Sequence, residues 1–255
     1  MQNLAEQFEF LVIISLITFF TLSAILIAWI FTNPRKRNLV MPLEGFVAPF
    51  FSLPAVLFSL IAALMATSVW ENYTIATKAV RSESQSIMNI VSLTDSIPSL
   101  KNSQLKEASK KYARSIIDDE WNTLSSHQEH SPATQKYFEE LRSQVFLAVN
   151  ALENTAESRA LFNAFQTANS ARETRLAFVS FDIHPIRWYA ILFLALLVQI
   201  TVGFVHLSKP KALITALAIA TATVLVPICM IAFTLSSPYQ GVISISNSPY
   251  LEILK

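Results

Sequence analysis

From Phe46 to Val69 no side chain is ionisable, and Trp70, Glu71, Lys78, Arg81 and Glu83 then follow with no Gly or Pro before Val91. Few folds accept such a stretch. About 20 apolar residues span the hydrocarbon of a bilayer, and the charged continuation predicts one helical rod that begins in lipid and ends in water. A helix that leaves the membrane unbroken fixes what lies beyond it, so movement at one end is expected to reach the other.

Three further uncharged runs accompany it. Leu11 to Phe31 gives 21 residues with Trp29 near the end, long enough to cross once. Asn33 and Pro34 stop that span, Arg35, Lys36 and Arg37 follow, and Met41 to Gly45 lead into the second. A third span is expected from about Trp188 to Leu207 and a fourth from Ala212 to Leu235, joined by Ser208, Lys209, Pro210 and Lys211. Composition agrees, with 53% hydrophobic and only 15% charged residues against roughly 25% charged in a soluble domain. The net charge of +1 provides no field for nucleic acid or acidic substrates. The lone Cys229 lies in an apolar run, which excludes a disulfide framework and a cysteine zinc site. The first ten residues hold Glu6 and Glu9 but no Lys or Arg, so the first span is expected to persist rather than serve as a cleaved signal.

Residues 71–185 change character, with 12 Lys or Arg against 14 Asp or Glu. The expected fold is therefore an all-α membrane protein: spans one and two in 1–70, an inserted soluble helical bundle in 71–185, spans three and four in 186–235, and a tail in 236–255. Pro98 ends the first soluble segment. Leu105, Ala108, Tyr112, Ile116, Trp121 and Leu124 then form one apolar stripe, with Lys106, Lys110 and Arg114 opposite. Ser131-Pro132 starts another helix, whose buried face is Phe138, Leu141, Val145 and Val149. Thr155 caps a last one through Leu161, Phe162, Phe165, Ala168, Arg172 and Leu176 to about Ser180, before the break at His184-Pro185. The tail alternates weakly through Val242 to Ser246 and is almost uncharged, which predicts packing.

Two faces of span two differ in size. Ser52, Ala55, Ser59, Ala62 and Ala66 recur at three and four, a small face for close helix contact, as do Ala212, Ala216 and Ala220 in span four. Leu53, Leu57, Leu60 and Leu64, with Ile61 beside them, form a large stripe that faces lipid or a pore. Pro49 and Pro54 each remove a backbone donor and allow a bent or re-entrant start. Gln199, in the middle of span three, needs partners in hydrocarbon, from helix packing or from a water-filled path. No Asp, Glu, Lys, Arg or His lies deep in a span, which argues against a proton-coupled pump.

The remaining constellations have bland alternatives. Asp118, Asp119 and Glu120 supply the oxygens that calcium wants, but an exposed acidic face, or pairing with Lys110, Lys111 and Arg114, is the ordinary reading. His127-Gln128-Glu129-His130 could offer a metal two imidazoles and a carboxylate, against a solvated loop. Three glycines make no phosphate cradle, and no nucleophile is set beside a base. No cofactor is called for, and an enzyme is the least supported class.

Orientation rests on Lys and Arg. The short loops concentrate Arg35, Lys36, Arg37, Lys209 and Lys211, and none precedes span one, which puts those loops in the cytoplasm and the large domain with both termini outside. Lys78, Arg81, Arg172, Arg175 and Arg187 pull the other way.

Val69-Trp70-Glu71-Asn72-Tyr73 with Lys78-Ala79-Val80-Arg81-Ser82-Glu83, Tyr112-Ala113, Asp119-Glu120-Trp121, Ser237-Pro238-Tyr239-Gln240-Gly241 and Ser246-Asn247-Ser248-Pro249-Tyr250 occur in an order and spacing that resemble a bacterial bestrophin-like family. Members of that family commonly carry Asp-Arg where this chain has Ser236-Ser237. Bestrophins proper are more remotely similar. They are pentameric anion channels with a hydrophobic neck on the second transmembrane helix, which implies Leu53-Pro54 through Leu57 and Ile61 to Trp70 as the counterpart here. They also keep their helical domain in the cytoplasm, opposite to the charge-based orientation. The resemblance implies a homo-oligomeric ion channel in the inner membrane, with small ions as its cargo; the soluble helices that occupy nearly half the chain suggest a membrane-anchored sensor or interaction module as the alternative.

Overall fold

A computed structural model describes residues 2–33, 35–36, 48–101, 104–126, 131–153, 155–178, 185–207, 209–232, 238–239 and 244–255. Nearly all of these are helical, with no strand among the described residues. In chain order the helices are α1 (Gln2–Thr32), α2 (Ala48–Ser96), α3 (Leu105–Ser115), α4 (Trp121–Ser126), α5 (Pro132–Ala151), α6 (Ala156–Ala177), α7 (Pro185–Val205), α8 (Pro210–Ala232) and the short α9 (Ser248–Leu251). A π-helical turn, Ile116–Glu120, joins α3 to α4. Four helices are long and apolar enough to cross a membrane, over Phe10–Thr32, Ser52–Ser96, Pro185–Val205 and Lys211–Ala232.

Local chemistry explains most boundaries. α2 runs through Pro54, although a proline at an interior helical position removes one i→i−4 hydrogen bond and crowds the preceding turn. The helix stops at Ser96 just before Pro98, which opens a 3-10 turn. Ser131 Oγ accepts from Thr134 N at 3.4 Å and Thr155 Oγ1 from Ser158 N at 3.2 Å, so both expected caps form. Two ends differ from expectation. α7 begins at Pro185, with proline at the first helical position where its missing N–H costs nothing. α6 ends at Ala177, where Phe178 leaves helical geometry.

The chain divides into two compact units, and the division falls inside α2. The apolar unit comprises Glu6–Trp70 and Asp182–Leu235. Its core is Phe20 of α1, Phe58, Ala62 and Met65 of α2, Ile191, Ala195 and Val198 of α7, and Val224, Ile228 and Ile231 of α8. Ile27, Phe31, Leu207, Leu213 and Leu217 form a second cluster. Gly203 permits this packing, since a Cβ there would lie 2.6 Å from Phe31 Cε2 and 2.9 Å from Ile27 Cγ2. The surface of the unit is apolar as well, including Leu22, Ile25, Phe193, Ile219 and Met230.

The polar unit comprises Met1–Ala5, Glu71–Phe181 and Ser236–Lys255. Its core runs through Ile87, Ile90, Leu105, Tyr112, Ile116, Leu124, Phe138, Leu141, Val145, Leu161 and Phe165. Tyr239, Ile245, Tyr250 and Ile253 of the tail are buried in the same core, and Ser84 Oγ donates to the Pro249 carbonyl at 2.7 Å. The expected single stripe from Leu105 to Leu124 is corrected in one respect. The π turn inserts a residue, so Glu120 points inward alongside Ile116 and Leu124, and Trp121 is half-buried beside it.

Candidate functional site

The polar unit is built around a charge. Ala76, Val80, Glu83, Ile87 and Ile90 follow one another at three and four along α2, so the inner face of the helix carries a carboxylate among aliphatic residues. Glu83 is fully buried, as are Glu120 and Arg175. Burying an unpaired carboxylate is prohibitive, so partners must come from every neighbour.

They do. Arg175 of α6 donates from Nε to Glu83 Oε2 at 2.6 Å and from Nη2 to Glu83 Oε1 at 3.2 Å. The same Nη2 reaches Glu120 Oε2 at 2.6 Å. Tyr250 donates to Glu83 Oε2 at 2.8 Å, and Tyr112 donates to Oε1. Arg172, one turn before Arg175, stands 3.5 Å from Glu120 Oε1, with its guanidinium 4.6 Å from the centroid of the Phe138 ring. Tyr239 donates to the Arg175 carbonyl at 2.8 Å, and Trp121 sets its edge against Tyr239 and Tyr250. Two carboxylates meet two guanidiniums, so the cluster is neutral, and each Glu83 oxygen accepts twice.

Electrostatics follow from that geometry. Burial opposes the charge on Arg175, yet the carboxylates of Glu83 and Glu120 outweigh it and hold the guanidinium protonated well above its ordinary range. Burial first, and the Glu83 charge second, push the hydroxyls of Tyr112 and Tyr250 well up. Burial does the same to Tyr239. Arg175 thus stays charged and the three tyrosines stay protonated near neutrality. The cluster ties α2, the π turn, α6 and the tail to one another.

The sequence pattern points elsewhere for its acidic trio. Asp118 and Asp119 are exposed, whereas Glu120 is turned onto Arg175, so the three carboxylates are parted. His127, Gln128, Glu129 and His130 lie outside the described residues, as do Arg37, Met41 to Gly45, Ser180, His184, Leu235, Ser236-Ser237 and Val242. Helical spacing puts Arg172 on a buried apolar face, as observed. Arg175, which enters the sequence argument only as a basic residue near a span, is the hub.

In the apolar unit, Gln199 is fully buried and fully used. Its amide nitrogen donates to the Phe20 carbonyl at 3.0 Å and to Thr221 Oγ1 at 2.9 Å, and its oxygen accepts from Ser23. Three helices, α1, α7 and α8, thus share one amide, which takes the packing option of the two open to it.

Along α2, Leu53, Leu57, Leu60 and Leu64 are exposed, Leu57 at 49% and Leu64 at 60%, while Ile61 is half-buried. Ala62 of the small face is buried in the core of the apolar unit and Ala55 packs partly against the same core, but Ser52, Ser59 and Ala66 are exposed. Ser59 donates to the Ala55 carbonyl at 2.7 Å, so its hydroxyl proton is satisfied within the helix. On α8, Ala220 is buried, Ala216 half-buried and Ala212 exposed.

A family model for the bestrophin-like domain matches residues 18–250. The chain belongs to the bestrophin-like family. Searches of curated proteins and of solved structures each found no match. Every member of the buried cluster, from Glu83 to Tyr250, lies within the matched region of this bestrophin-like protein. Its resemblance motifs accordingly acquire a common physical meaning: Glu83, Tyr112, Glu120, Tyr239 and Tyr250, quoted from five separate stretches, all converge on the Glu83–Arg175 pair, Tyr112 and Tyr250 through Glu83 and Glu120 and Tyr239 through Arg175.

Proposed function

We propose that this bestrophin-like protein is a homo-oligomeric ion channel of the bacterial inner membrane, conducting anions through a neck lined by α2. The observation that carries the proposal is the leucine stripe of α2, exposed in a single copy on a helix whose opposite side is already packed. Closing copies around an axis turns such a stripe into a dry constriction, and hydrophobic constrictions gate by dewetting. The protein is not an enzyme, needs no cofactor and takes small ions as its cargo. By resemblance five copies form the ring.

In this reading the polar unit is the soluble helical bundle inserted between spans two and three. It lies outside the cytoplasm with both termini, since the short basic loops favour the cytoplasmic side. The buried ion cluster holds the bundle on α2, the same helix that carries the neck.

Purified protein reconstituted in planar bilayers is expected to pass an anion-selective current, and crosslinking in native membranes to give one small fixed number of copies. Silence across voltage, calcium and pH, together with crosslinks to a different protein, would establish the sensor module instead.

A further inference from the structure

Within the apolar unit, α2 and α7 leave a groove of about 360 Å³ lined by Ile61, Leu64, Met65, Ser68, Arg187 and Ala190, among others. One end is hydrocarbon and the other a cation. Arg187 is exposed, and no carboxylate among the described residues lies within ion-pair distance of it. Ser68 spends its hydroxyl proton on the Leu64 carbonyl at 3.0 Å, so the guanidinium is the groove's charged donor. Trp70, two residues beyond Ser68, and Tyr189, two beyond Arg187, are both about 70% exposed, and aromatic side chains of this kind sit at headgroup depth.

We propose that this groove binds an anionic phospholipid, with one acyl chain along Ile61, Leu64, Met65 and Ala190 and the phosphate on the Arg187 guanidinium. A guanidinium matches a phosphate through paired N–H donors. The groove discriminates among phospholipids because its described lining holds no carboxylate: the ammonium of a zwitterionic headgroup finds no partner among those residues, whereas a headgroup whose net charge is negative is complementary to the Arg187 cation. A soluble phosphate would satisfy Arg187 but leave the apolar length of the groove empty. The site rests on α2 and α7 being membrane helices and is independent of conductance.

Reconstitution of the full chain into phosphatidylcholine vesicles with trace spin-labelled lipid tests it. Labelled phosphatidylglycerol should be immobilised about five-fold more than labelled phosphatidylcholine, the ratio that one interfacial cation supplies. Arg187→Gln should bring the two to parity and Arg187→Lys should retain most of the preference, while Ala190→Phe, which fills the groove, should abolish it with the charge intact. Excess inorganic phosphate should leave the preference standing; displacement by phosphate would mean a soluble anion is the ligand and overturn the proposal. Parity in the unaltered protein, or a preference unchanged by Arg187→Gln, overturns it as well. Absence of any immobilised lipid would remove the membrane reading together with the site, whereas immobilised lipid without headgroup preference removes the site alone.

Discussion

Glu83 and Arg175 stand 92 positions apart in the chain and meet as a two-pronged ion pair, Nε to Oε2 at 2.6 Å and Nη2 to Oε1 at 3.2 Å, with neither side chain exposed. Removing one partner from such a pair leaves the other charged and buried, at a cost of about 3 to 5 kcal/mol. Glu83→Ala is therefore expected to unfold the polar unit under conditions where the unaltered protein resists, read by helical circular dichroism against temperature in detergent. The double replacement Glu83→Met with Arg175→Met should be less damaging than the two single losses added together, because each then removes the other's stranded charge. Additivity of the two would mean that the pair contributes no coupling.

The buried tyrosines set an alkaline limit. Tyr112, Tyr250 and Tyr239 are neutral when protonated, and their folded-state values lie above the ordinary one near 10. A raised value favours folding fully below about pH 10, and that contribution is lost as pH climbs beyond it. Stability from these groups should therefore be flat through neutrality and fall in strong alkali. Tyrosinate absorbance from them should rise together with loss of helix, and Tyr112→Phe or Tyr250→Phe should shrink that coincident rise. Ionisation of all three while the helices persist would contradict their burial.

Gln199 supplies a test inside the apolar unit. Replacement by Leu strips three hydrogen bonds from α1, α7 and α8 while keeping the volume close. Interhelical hydrogen bonds of this kind are worth about 0.6 kcal/mol on average and about 1.7 at most, so a modest drop in resistance to denaturing detergent is expected, with the helices retained. Resistance equal to that of the unaltered protein would show the amide to be dispensable.

Gly203 should not tolerate even a methyl group. Its Cβ would meet Phe31 Cε2 at 2.6 Å, and overfilling a packed core costs about 1 to 3 kcal/mol. Gly203→Ala should weaken the α1–α7 contact, and the added change Phe31→Leu, which shortens the obstructing ring, should restore part of the loss. A second change without any effect would place the clash elsewhere.

Two measurements address the neck and the orientation. In a conducting protein, Leu57→Ser should wet the constriction and raise the current with the oligomer intact, whereas Ser59→Leu should impair assembly. In a Cys229→Ala background, Asn33→Cys should be shielded from an impermeant thiol reagent on intact cells, and Ser143→Cys, on the exposed side of α5, should be labelled. The reverse pattern would put the polar unit in the cytoplasm, as in bestrophins proper.

How much of this could be read from residues alone depends on the kind of interaction. The four apolar helices and the helix caps were legible because they rest on local hydropathy and on residues within one turn, such as Thr155 with Ser158. The ion cluster was not, since pairing Glu83 with Arg175 joins helices whose order in the sequence carries no distance. Signals for it existed. Arg172 falls on the same face as Leu161, Phe165 and Ala168, where a charge demands a partner, and Glu83 sits among Val80, Ile87 and Ile90 in the same way. The stripe through Tyr112, Ile116, Trp121 and Leu124 also contained its own warning, for the step from Ile116 to Trp121 is five residues where a regular helix allows three or four.

That step makes the segment a matter of counting as well as of spelling. The five-residue turn at Ile116–Glu120 advances the chain by one residue more than an α-turn, and one residue is about 100° of rotation. Asp118 and Asp119, which point outward, are free to vary in kind. A deletion of either would be another matter, because the helix would close to regular pitch and rotate everything between Glu120 and Ser126 against the first half. Substitution libraries should therefore report these two positions as permissive, while single-codon deletions at the same two positions behave like losses of Glu120 itself.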